Sequence, residues 1–512
     1  MRRNALWLTC TVAAAMVLPA TPAAAIDQVN TQKLRQAVTV SGILGHERVF
    51  QRIANQNDGT RASGTSGYKA SVDYVRRTLA QAGYDVRLQK FDFNFFQELA
   101  PAQLSELSPT PTDYQTETFE YSGNGDVSGA LVATTDIQVP PGAEPSSSTS
   151  GCEPGDFPAA GSEPAVALIQ RGTCTFEQKA ANAAAAGYDA AIIFNEGQPG
   201  RTDLPGGTLG NPQSIPVVGL SYADGAALYE QLAAGAVTVR VATSTASEVR
   251  PTWNVIADSR GGDPNKVVVV GAHLDSVLEG PGINDNGSGS ATILETAVQI
   301  NKLGLKPQQK LRFAFWGAEE AGLLGSTHYV DSLSDQQLST IMANLNFDML
   351  GSPNYVRFVY DGDGSSGTAG PQPGSGQIEQ IFTNYFAGQG LASAPTDFDG
   401  RSDYGPFIEA GIPAGGLFSG AEGIKTAQEA AIYGGTAGEP YDACYHQACD
   451  SIQAPNNNLS DQALAELGDA AAHAIWTLGK TSTGFYADGS RMAASQAVSL
   501  DQFDYRGGQL VR

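Results

Sequence analysis

The chain has 512 residues, of which 53 are acidic and 30 are basic, so its formal net charge at pH 7 is −23. This surplus argues against nucleic acids and anionic membranes as partners, because both carry negative charge themselves. A chain of this length exceeds one compact core, so two or three domains are expected.

The first 25 residues have the pattern of a secretory signal peptide. Met1-Arg2-Arg3-Asn4 carries positive charge, residues 5–18 are apolar, and alanines occupy positions 23–25. The apolar stretch is shorter than the roughly 20 residues that span a membrane, so cleavage after about Ala25 is expected. The sequence therefore predicts a secreted, extracellular protein with no membrane partner after cleavage.

The composition and patterning of the chain change twice after the predicted signal peptide. Residues 26–95 carry amphipathic helical patterns, as at 68–75, and then an alternating strand at 86–89. From about 100 to 245 the chain is rich in Pro, Ser, Thr and Gly, and the loop at 140–148 would not fit in a sheet. Within that region we predict a helix at 180–187 and a strand at 190–194.

Three apolar runs follow, at 267–270, 311–316 and 345–347. Nearly continuous apolar runs are typical of parallel strands that are covered on both faces. Polar side chains cluster just past the end of each run, at the edge where open α/β sheets place their sites. The fold class expected is α/β, with a mixed, mostly parallel central sheet flanked by helices.

These polar side chains are potential metal ligands. A lone His or Asp after a strand is more often a core or capping residue, so each is weak evidence by itself. Zinc binds imidazole nitrogen and carboxylate oxygen, and two such ions about 3.5–4 Å apart can hold both a water and a polarised carbonyl. The coincidence of five donors indicates a two-zinc hydrolase: His273, Asp285, Glu320, Asp348 and His446.

The chain resembles the M28 family of zinc aminopeptidases, and within it the secreted Streptomyces aminopeptidase group. The resemblance covers roughly residues 30–95 and 246–480, and it implies the zinc exopeptidase fold. Six segments carry it, in order: GAHLDS at 271–276, GINDNGSGS at 282–290, WGAEE at 316–320, LNFDMLGSP at 345–353, GRSD at 400–403 and CYH at 444–446.

The resemblance implies a role for each donor. His273 and Asp348 would bind one zinc ion, Glu320 and His446 the other, and Asp285 would bridge the two. The cis peptide that the family has after this aspartate would fall at 285–286.

Glu319 would be the general base that activates water and then protonates the leaving amine. The alternative for the pair 319–320 is a charged turn that opens a helix at 321–323.

Further residues are assigned by the same resemblance. Asp275 would orient the imidazole of His273, Tyr445 would hydrogen-bond the oxyanion, and Arg401 would line the substrate site. A packed tyrosine beside a disulfide and a surface ion pair are the alternatives for the last two.

The resemblance also implies a pocket that prefers large apolar N-terminal residues such as leucine. Met349 and Phe418 fall at the matching positions in this chain.

Residues 120–240 resemble a protease-associated (PA) domain, on the evidence of RGTCTF at 171–176, an alanine-rich helix and the strand AAIIF. This region has no catalytic groups. A lid or recruitment module and a purely structural insertion remain equal alternatives.

The domains expected are a signal peptide at 1–25, a discontinuous peptidase domain at 26–100 and 246–480, an inserted β-rich PA domain at 101–245, and a tail at 481–512. The tail is either a docked segment or a removable propeptide.

The cysteines fit an exported protein. Cys10 would leave with the signal, and four remain: Cys152, Cys174, Cys444 and Cys449. Pairing each with its nearest neighbour is the simplest of three possible connectivities. A zinc–cysteine site is disfavoured, because the pairs are far apart in the chain and an exported protein favours disulfides.

The function expected is that of a monomeric dizinc aminopeptidase acting on peptides with a free N-terminus. Three alternatives remain: a single-zinc glutaminyl cyclase-like acyltransferase, a non-catalytic binding protein of the same fold, and a PA-containing M28 carboxypeptidase or dipeptidase. The complete donor set with Glu319 argues against the first two.

Overall fold

The structure is a computed structural model and describes residues 29–366, 373–453, 456–481 and 499–512. The predicted signal peptide, including Cys10, lies outside the described residues. Within the ranges given, no helix combines the length and the apolar character that crossing a membrane requires.

Three helices and one long strand open the described chain. Thr39 and Thr65 start the second and third helices, because their side chains accept hydrogen bonds from the N–H groups of Gly42 and Tyr68. The elements are α1 (Gln32–Arg35), α2 (Val40–Asn55), α3 (Ser66–Gln81) and β1 (Asp85–Ser108).

The middle of the chain is rich in strands. It contains β2 (Thr112–Tyr114), β3 (Gly125–Ala133), β4 (Ala165–Gln170), α4 (Phe176–Ala185), β5 (Ala190–Phe194), β6 (Val217–Leu220), α5 (Tyr222–Ala234) and β7 (Thr238–Asp258). A disulfide between Cys152 and Cys174 ties the loop before β4 to the loop before α4.

The rest of the chain alternates strands and helices. Its elements are β8 (Asp263–His273), α6 (Gly289–Lys302), β9 (Gln309–Trp316), α7 (Leu324–Asp331), α8 (Asp335–Thr340), β10 (Ile341–Asp348), β11 (Phe358–Tyr360), α9 (Ser375–Gly388), β12 (Ala394–Thr396), α10 (Gly405–Glu409), β13 (Ala414–Phe418), α11 (Ala427–Tyr433), β14 (Ile452–Gln453), β15 (Asn456–Asn457), α12 (Asp461–Lys480), β16 (Tyr505–Arg506) and β17 (Gln509–Leu510).

The described strands form one thirteen-stranded sheet and two short hairpins. Eleven strands follow the order β12-β11-β13-β10-β8-β9-β7-β3-β4-β5-β6, and β1 pairs with β7 and β2. Strands β13, β10, β8 and β9 run parallel to one another, as do β3 to β6. The expected α/β class with a mostly parallel sheet is confirmed.

A two-stranded antiparallel ribbon joins the two parts of this sheet. Strand β1 pairs with β7 from Asp85–Asp258 to Ser108–Thr238, with irregular register near Glu98 and Ala100. The boundaries expected at 100/101 and 245/246 therefore fall within continuous strands. Residues of both parts share a sheet, which fixes the PA-like region beside the edge where β8 and β9 end.

The central strands are buried because helices cover both faces. Helices α1, α2, α3, α6, α9 and α12 pack against one face around Val268, Val270 and Phe313, whereas α7, α8 and α10 cover the other around Val269 and Trp316. The nearly continuous apolar runs of the sequence are explained by this two-sided burial.

Candidate active site

His273 and Asp348 meet because their strands are parallel neighbours. His273 ends β8 and Asp348 ends β10, and the two strands pair in register at Gly271 and Asn346. The Nε2 atom of His273 lies 3.3 Å from Oδ1 of Asp348, and both side chains are buried.

Asp285 lies between the two histidines. It belongs to an irregular turn at Ile283–Ser288 that leads into α6, and the peptide that follows it is cis. One carboxylate oxygen is 3.2 Å from Nε2 of His273, and the other is 3.2 Å from Nε2 of His446. This carboxylate can therefore serve two ions at once.

Glu319 and Glu320 follow β9 in a tight turn that begins at Ala318, whose φ is +53°. Their side chains point to different partners. Oε2 of Glu320 is 3.0 Å from Nε2 of His446, whereas Oε2 of Glu319 is 3.9 Å from Nε2 of His273. The two carboxylates occupy different positions around the site.

His446 comes from a loop far along the chain. The disulfide between Cys444 and Cys449 closes that loop, and the ring of Tyr445 stacks on the imidazole with a centroid distance of 3.9 Å. Both predicted disulfides are present in the structure.

The five donors form two groups that fit zinc. His273, Asp285 and Asp348 give distances of 3.2 and 3.3 Å, while His446, Asp285 and Glu320 give 3.2 and 3.0 Å. Zinc bonds of about 2.0–2.2 Å place tetrahedral ligand atoms roughly 3.3–3.6 Å apart, close to these separations.

Unpartnered buried atoms support the same fit. Among the described residues, both Oε atoms of Glu320, Oδ1 of Asp348 and Nε2 of His446 are buried without a hydrogen-bond partner. Such atoms are costly to bury unless something binds them. A metal ion at each group would satisfy all of them.

The side chains themselves show why a cation belongs here. Burial lowers the pKa of His273 and His446. The nearby carboxylates, chiefly Glu319 for His273 and Glu320 for His446, have the larger effect and raise both pKa values well above the usual value. Burial raises the pKa of Glu320 to about 7 and that of Glu319 well above its usual value. The site concentrates negative charge in a buried place.

Asp275 lies beside His273 and contacts it through its backbone and its side chain. Nδ1 of His273 is 3.2 Å from the backbone carbonyl oxygen of Asp275 and 3.7 Å from its carboxylate. The carboxylate also accepts the backbone N–H of Glu319 at 3.3 Å. Asp275 thus joins the turn after β9 to the end of β8.

A cavity of about 230 Å³ opens beside the donors. Met349 and Phe418 line it, together with Phe358 and Tyr360, and Phe358 stacks on Phe418 at 5.9 Å. These four side chains form an apolar part of the wall, whereas Asp397, Asp399 and Glu422 add carboxylates to other parts of it.

Arg401 and Tyr445 also line this cavity and contact each other. Nη2 of Arg401 donates to the hydroxyl oxygen of Tyr445 at 3.2 Å, and Nη1 donates to Glu422 at 2.6 Å. Because the tyrosine oxygen accepts this bond, its own O–H remains available as a donor toward the site.

Several supporting residues were not foreseen from the sequence. Asp450, next to Cys449, accepts the backbone N–H groups of Asn284 and Asp285 at 2.7 and 3.0 Å. Ser402 of the GRSD segment donates to Oδ2 of Asp348 at 2.5 Å. The only signal in the sequence is for Ser402, which lies inside the GRSD segment, whereas Asp450 lies outside all six segments.

Comparisons with known proteins agree with this geometry. The sequence matches the profile of peptidase family M28 over residues 254–474, which include all five donors, and the PA domain profile over residues 127–228. An aminopeptidase from Pseudomonas aeruginosa is 48% identical over 449 residues, covering 86% of this chain and 81% of that protein. Leucine aminopeptidase 2 from Arthroderma otae is 38% identical, covering 83% and 82% respectively.

Solved structures show the same architecture. An aminopeptidase from Aneurinibacillus sp. strain AM-1 has a TM-score of 0.69 at 25% identity, covering 88% of this chain and 97% of that one. BSAP, a zinc aminopeptidase from Bacillus subtilis, has a TM-score of 0.60 at 25% identity with the same coverage. With the donors at the strand ends and relatives this similar along most of its length, the chain belongs to peptidase family M28 and is a metallo-aminopeptidase.

Proposed function

We propose that this enzyme is secreted and holds two zinc ions, and that it removes large apolar residues such as leucine from the N-terminus of peptides. The observation that carries the proposal is the position of Asp285, whose two carboxylate oxygens each lie 3.2 Å from a different histidine. A bridging carboxylate between two complete donor groups is what a pair of ions requires.

The donors divide into two ligand sets in this proposal. His273 and Asp348 would hold one ion, Glu320 and His446 would hold the other, and Asp285 would serve both. When bound, zinc polarises a carbonyl and lowers the pKa of a water molecule.

Glu319 acts as the general base. Its carboxylate is near His273 and Asp348, but its Oε2 is 3.9 Å from Nε2 of His273, farther than the distances within either ligand set, so we assign it to proton transfer and not to metal binding. Burial raises its pKa well above the usual value, and a raised pKa makes the carboxylate a stronger base. Glu319 then passes the proton to the nitrogen of the departing peptide.

Tyr445 donates its hydroxyl proton to the oxyanion in this mechanism. Burial raises the pKa of Tyr445 well above its usual value, so the phenol keeps its proton. Arg401 holds the oxygen of that phenol from the other side at 3.2 Å. A fixed donor aimed at developing charge stabilises the transition state.

The remaining elements of the site select the substrate. Glu319 and Asp348 place negative charge where the free ammonium group of the first substrate residue would lie. Met349 and Phe418 line the cavity that would take the side chain of that residue. The volume of about 230 Å³ is ample for a leucine-sized group.

Secretion and the domain division complete the proposal. Secretion rests on the signal-like residues 1–25 and is consistent with the two disulfides, which persist in oxidising compartments. We retain 26–100 with 246–480 as the peptidase domain, 101–245 as the PA domain and 481–512 as a tail.

The test combines metal analysis with two substrates. We expect two zinc ions per chain by mass spectrometry of the metal content, rapid hydrolysis of leucine anilide, and no hydrolysis of an acylated peptide that ends in glutamate. Hydrolysis of the acylated peptide alone would instead identify a carboxypeptidase, and a single ion would refute the bridging role of Asp285.

A further inference from the structure

The segment 499–512 lies between the PA-like region and the metal-binding side chains. Its hairpin, β16 and β17, turns at Gly507 and Gly508, and Gly508 lines the same cavity as His273 and Asp348. A Cβ atom on Gly508 would lie 2.8 Å from Cε1 of His446 and 3.3 Å from the hydroxyl of Tyr445. The backbone at this turn therefore reaches the catalytic centre.

Beyond Gly508 the chain is held by the side chain of Gln509 and by the backbone of residues 510–512. Nε2 of Gln509 donates to the carbonyl oxygen of Glu320 at 2.7 Å and to Oε1 of Glu120 at 2.9 Å. The N–H groups of Thr208 and Phe176 donate to the carbonyl oxygens of Leu510 and Val511, each at 2.8 Å. Nη2 of Arg171 donates to the carbonyl oxygen of Arg512 at 2.7 Å. Every peptide has such carbonyls, so a different sequence could take the same place.

Leu500 and Phe503 of this segment pack against a separate cluster that includes Tyr360 and Phe398, and beyond Gly508 the apolar anchor is Leu510. Its side chain packs against a buried cluster of the PA-like region that includes Phe119, Phe176 and Leu209. The groove from Gly508 to Arg171 thus offers one apolar position, two backbone donors and one cationic donor.

The direction of the chain in this groove is informative. From Gly508 to Arg512 the chain runs in its N-to-C direction away from the metal-binding side chains. An aminopeptidase substrate must run in this same direction, because its N-terminus lies at the centre. Five extended residues reach at most about 18 Å, so the groove would accompany a substrate for several residues past the bond that is cut.

We propose that this groove binds the downstream part of a peptide substrate, and that the segment 499–512 competes with the substrate for it. The proposal rests on the proposed function, since it extends that site. If the second substrate residue lies near Gly508, the fourth takes the position of Leu510. The preferred substrates are then extended peptides of about six residues or more with an apolar fourth residue.

The test first displaces the tail and then removes a groove contact. Leu510→Asp places a charge against the apolar cluster and releases residues 509–512 from the groove, whereas Leu500 and Phe503 still hold the start of the segment. We therefore expect kcat/KM for the hexapeptide Leu-Ala-Ala-Leu-Ala-Arg to rise. In that background, Arg171→Ala lowers the ratio of kcat/KM for this hexapeptide to that for leucine anilide by about tenfold, the typical effect of losing a charge-assisted hydrogen bond. Replacing the fourth residue of the peptide by Asp lowers the ratio similarly.

A matched control and a binding measurement complete the design. Arg77→Ala, at an exposed arginine on α3, leaves the ratio unchanged. A fluorescent peptide with the sequence of residues 508–512 binds the Leu510→Asp protein, and Arg171→Ala weakens that binding.

Two results separate the possible failures. The groove proposal is overturned if neither Arg171→Ala nor the Asp at the fourth peptide position changes the ratio of kcat/KM for the hexapeptide to that for leucine anilide, and if the fluorescent peptide does not bind. Absence of anilide hydrolysis in every variant would refute the proposed function instead, and the binding measurement would still decide about the groove.

Discussion

Glu319 and Glu320 are adjacent in the turn after β9, but their carboxylates lie near different histidines. Their roles can therefore be tested separately. Oε2 of Glu320 is 3.0 Å from Nε2 of His446, in a donor group, whereas Glu319 stands 3.9 Å from Nε2 of His273. We predict that Glu319→Gln retains its zinc and loses roughly 10²- to 10⁴-fold in kcat, because only the proton transfer is removed. Metal analysis and steady-state kinetics on leucine anilide measure the two effects.

The neighbouring residue supplies the control. Glu320→Gln removes a charged donor, so this variant should lose zinc as well as activity. Turnover by Glu319→Gln at the rate of the unmodified enzyme would refute the base assignment, and loss of zinc from it would move Glu319 into the ligand set.

The positions of the donors could be predicted from the sequence, but their supports could not. His273 and Asp348 follow apolar runs, and parallel strands bring such positions to one edge. Ser402, which donates to Asp348 at 2.5 Å, comes from a loop 54 residues later. A hydrogen bond of this kind depends on how loops meet in space, and no local pattern reports it.

The loop at 442–450 fixes both a ligand and its neighbour. It carries His446, is closed by the disulfide, and uses Asp450 to hold the backbone at Asn284 and Asp285. We predict that Asp450→Asn weakens zinc binding by about 10- to 100-fold, as is usual when a group that orients a ligand is lost. An amide offers one acceptor oxygen and would turn its NH₂ group toward a backbone N–H.

Competition with a chelating dye measures this affinity. Asp73→Asn, on the exposed side of α3, is the control and should bind zinc as the unmodified protein does. Equal affinity in Asp450→Asn would show that the turn at Ile283–Ser288 holds its shape without this carboxylate.

Local sequence patterns predict which residues form strands better than they predict which strands pair with each other. The run at 267–270 lies in β8, and the predicted strand at 190–194 is β5, with the bounds expected. By contrast, the strand prediction covers only residues 86–89 of the 24-residue β1, and the pairing of β1 with β7 joins residues that are more than 100 positions apart. Pairing at such distances is set by the whole fold, since no local pattern specifies it.

The metal site brings together elements from separate parts of the peptidase region. Its donors come from the ends of β8, β9 and β10, from the turn at Ile283–Ser288 and from the loop at 442–450. The cores of the PA-like region contain none of them. Zinc should therefore stabilise the peptidase part of the molecule and leave the PA-like strands almost unaffected.

Removal of zinc tests this division. Zinc at about 1,000 times its dissociation constant would contribute roughly 4 kcal/mol per ion, so chelation should lower Tm by several degrees. Hydrogen exchange should then increase at 271–286, 345–350 and 442–450, while β4 and β5 keep their protection. A uniform increase over both parts would contradict the assignment.

The effect of chelation should also depend on pH. In the chelated protein, the nearby carboxylates raise the pKa of His273 and His446, and ion pairs between the imidazoles and these carboxylates stabilise the fold at low pH. That stabilisation is lost as pH rises through the raised pKa values. Zinc binding requires both imidazoles to be neutral, so its contribution grows in the same direction. The gap in Tm between loaded and chelated protein should widen from pH 6 to pH 8, and a gap that narrows would contradict the assignment of these histidines as ligands.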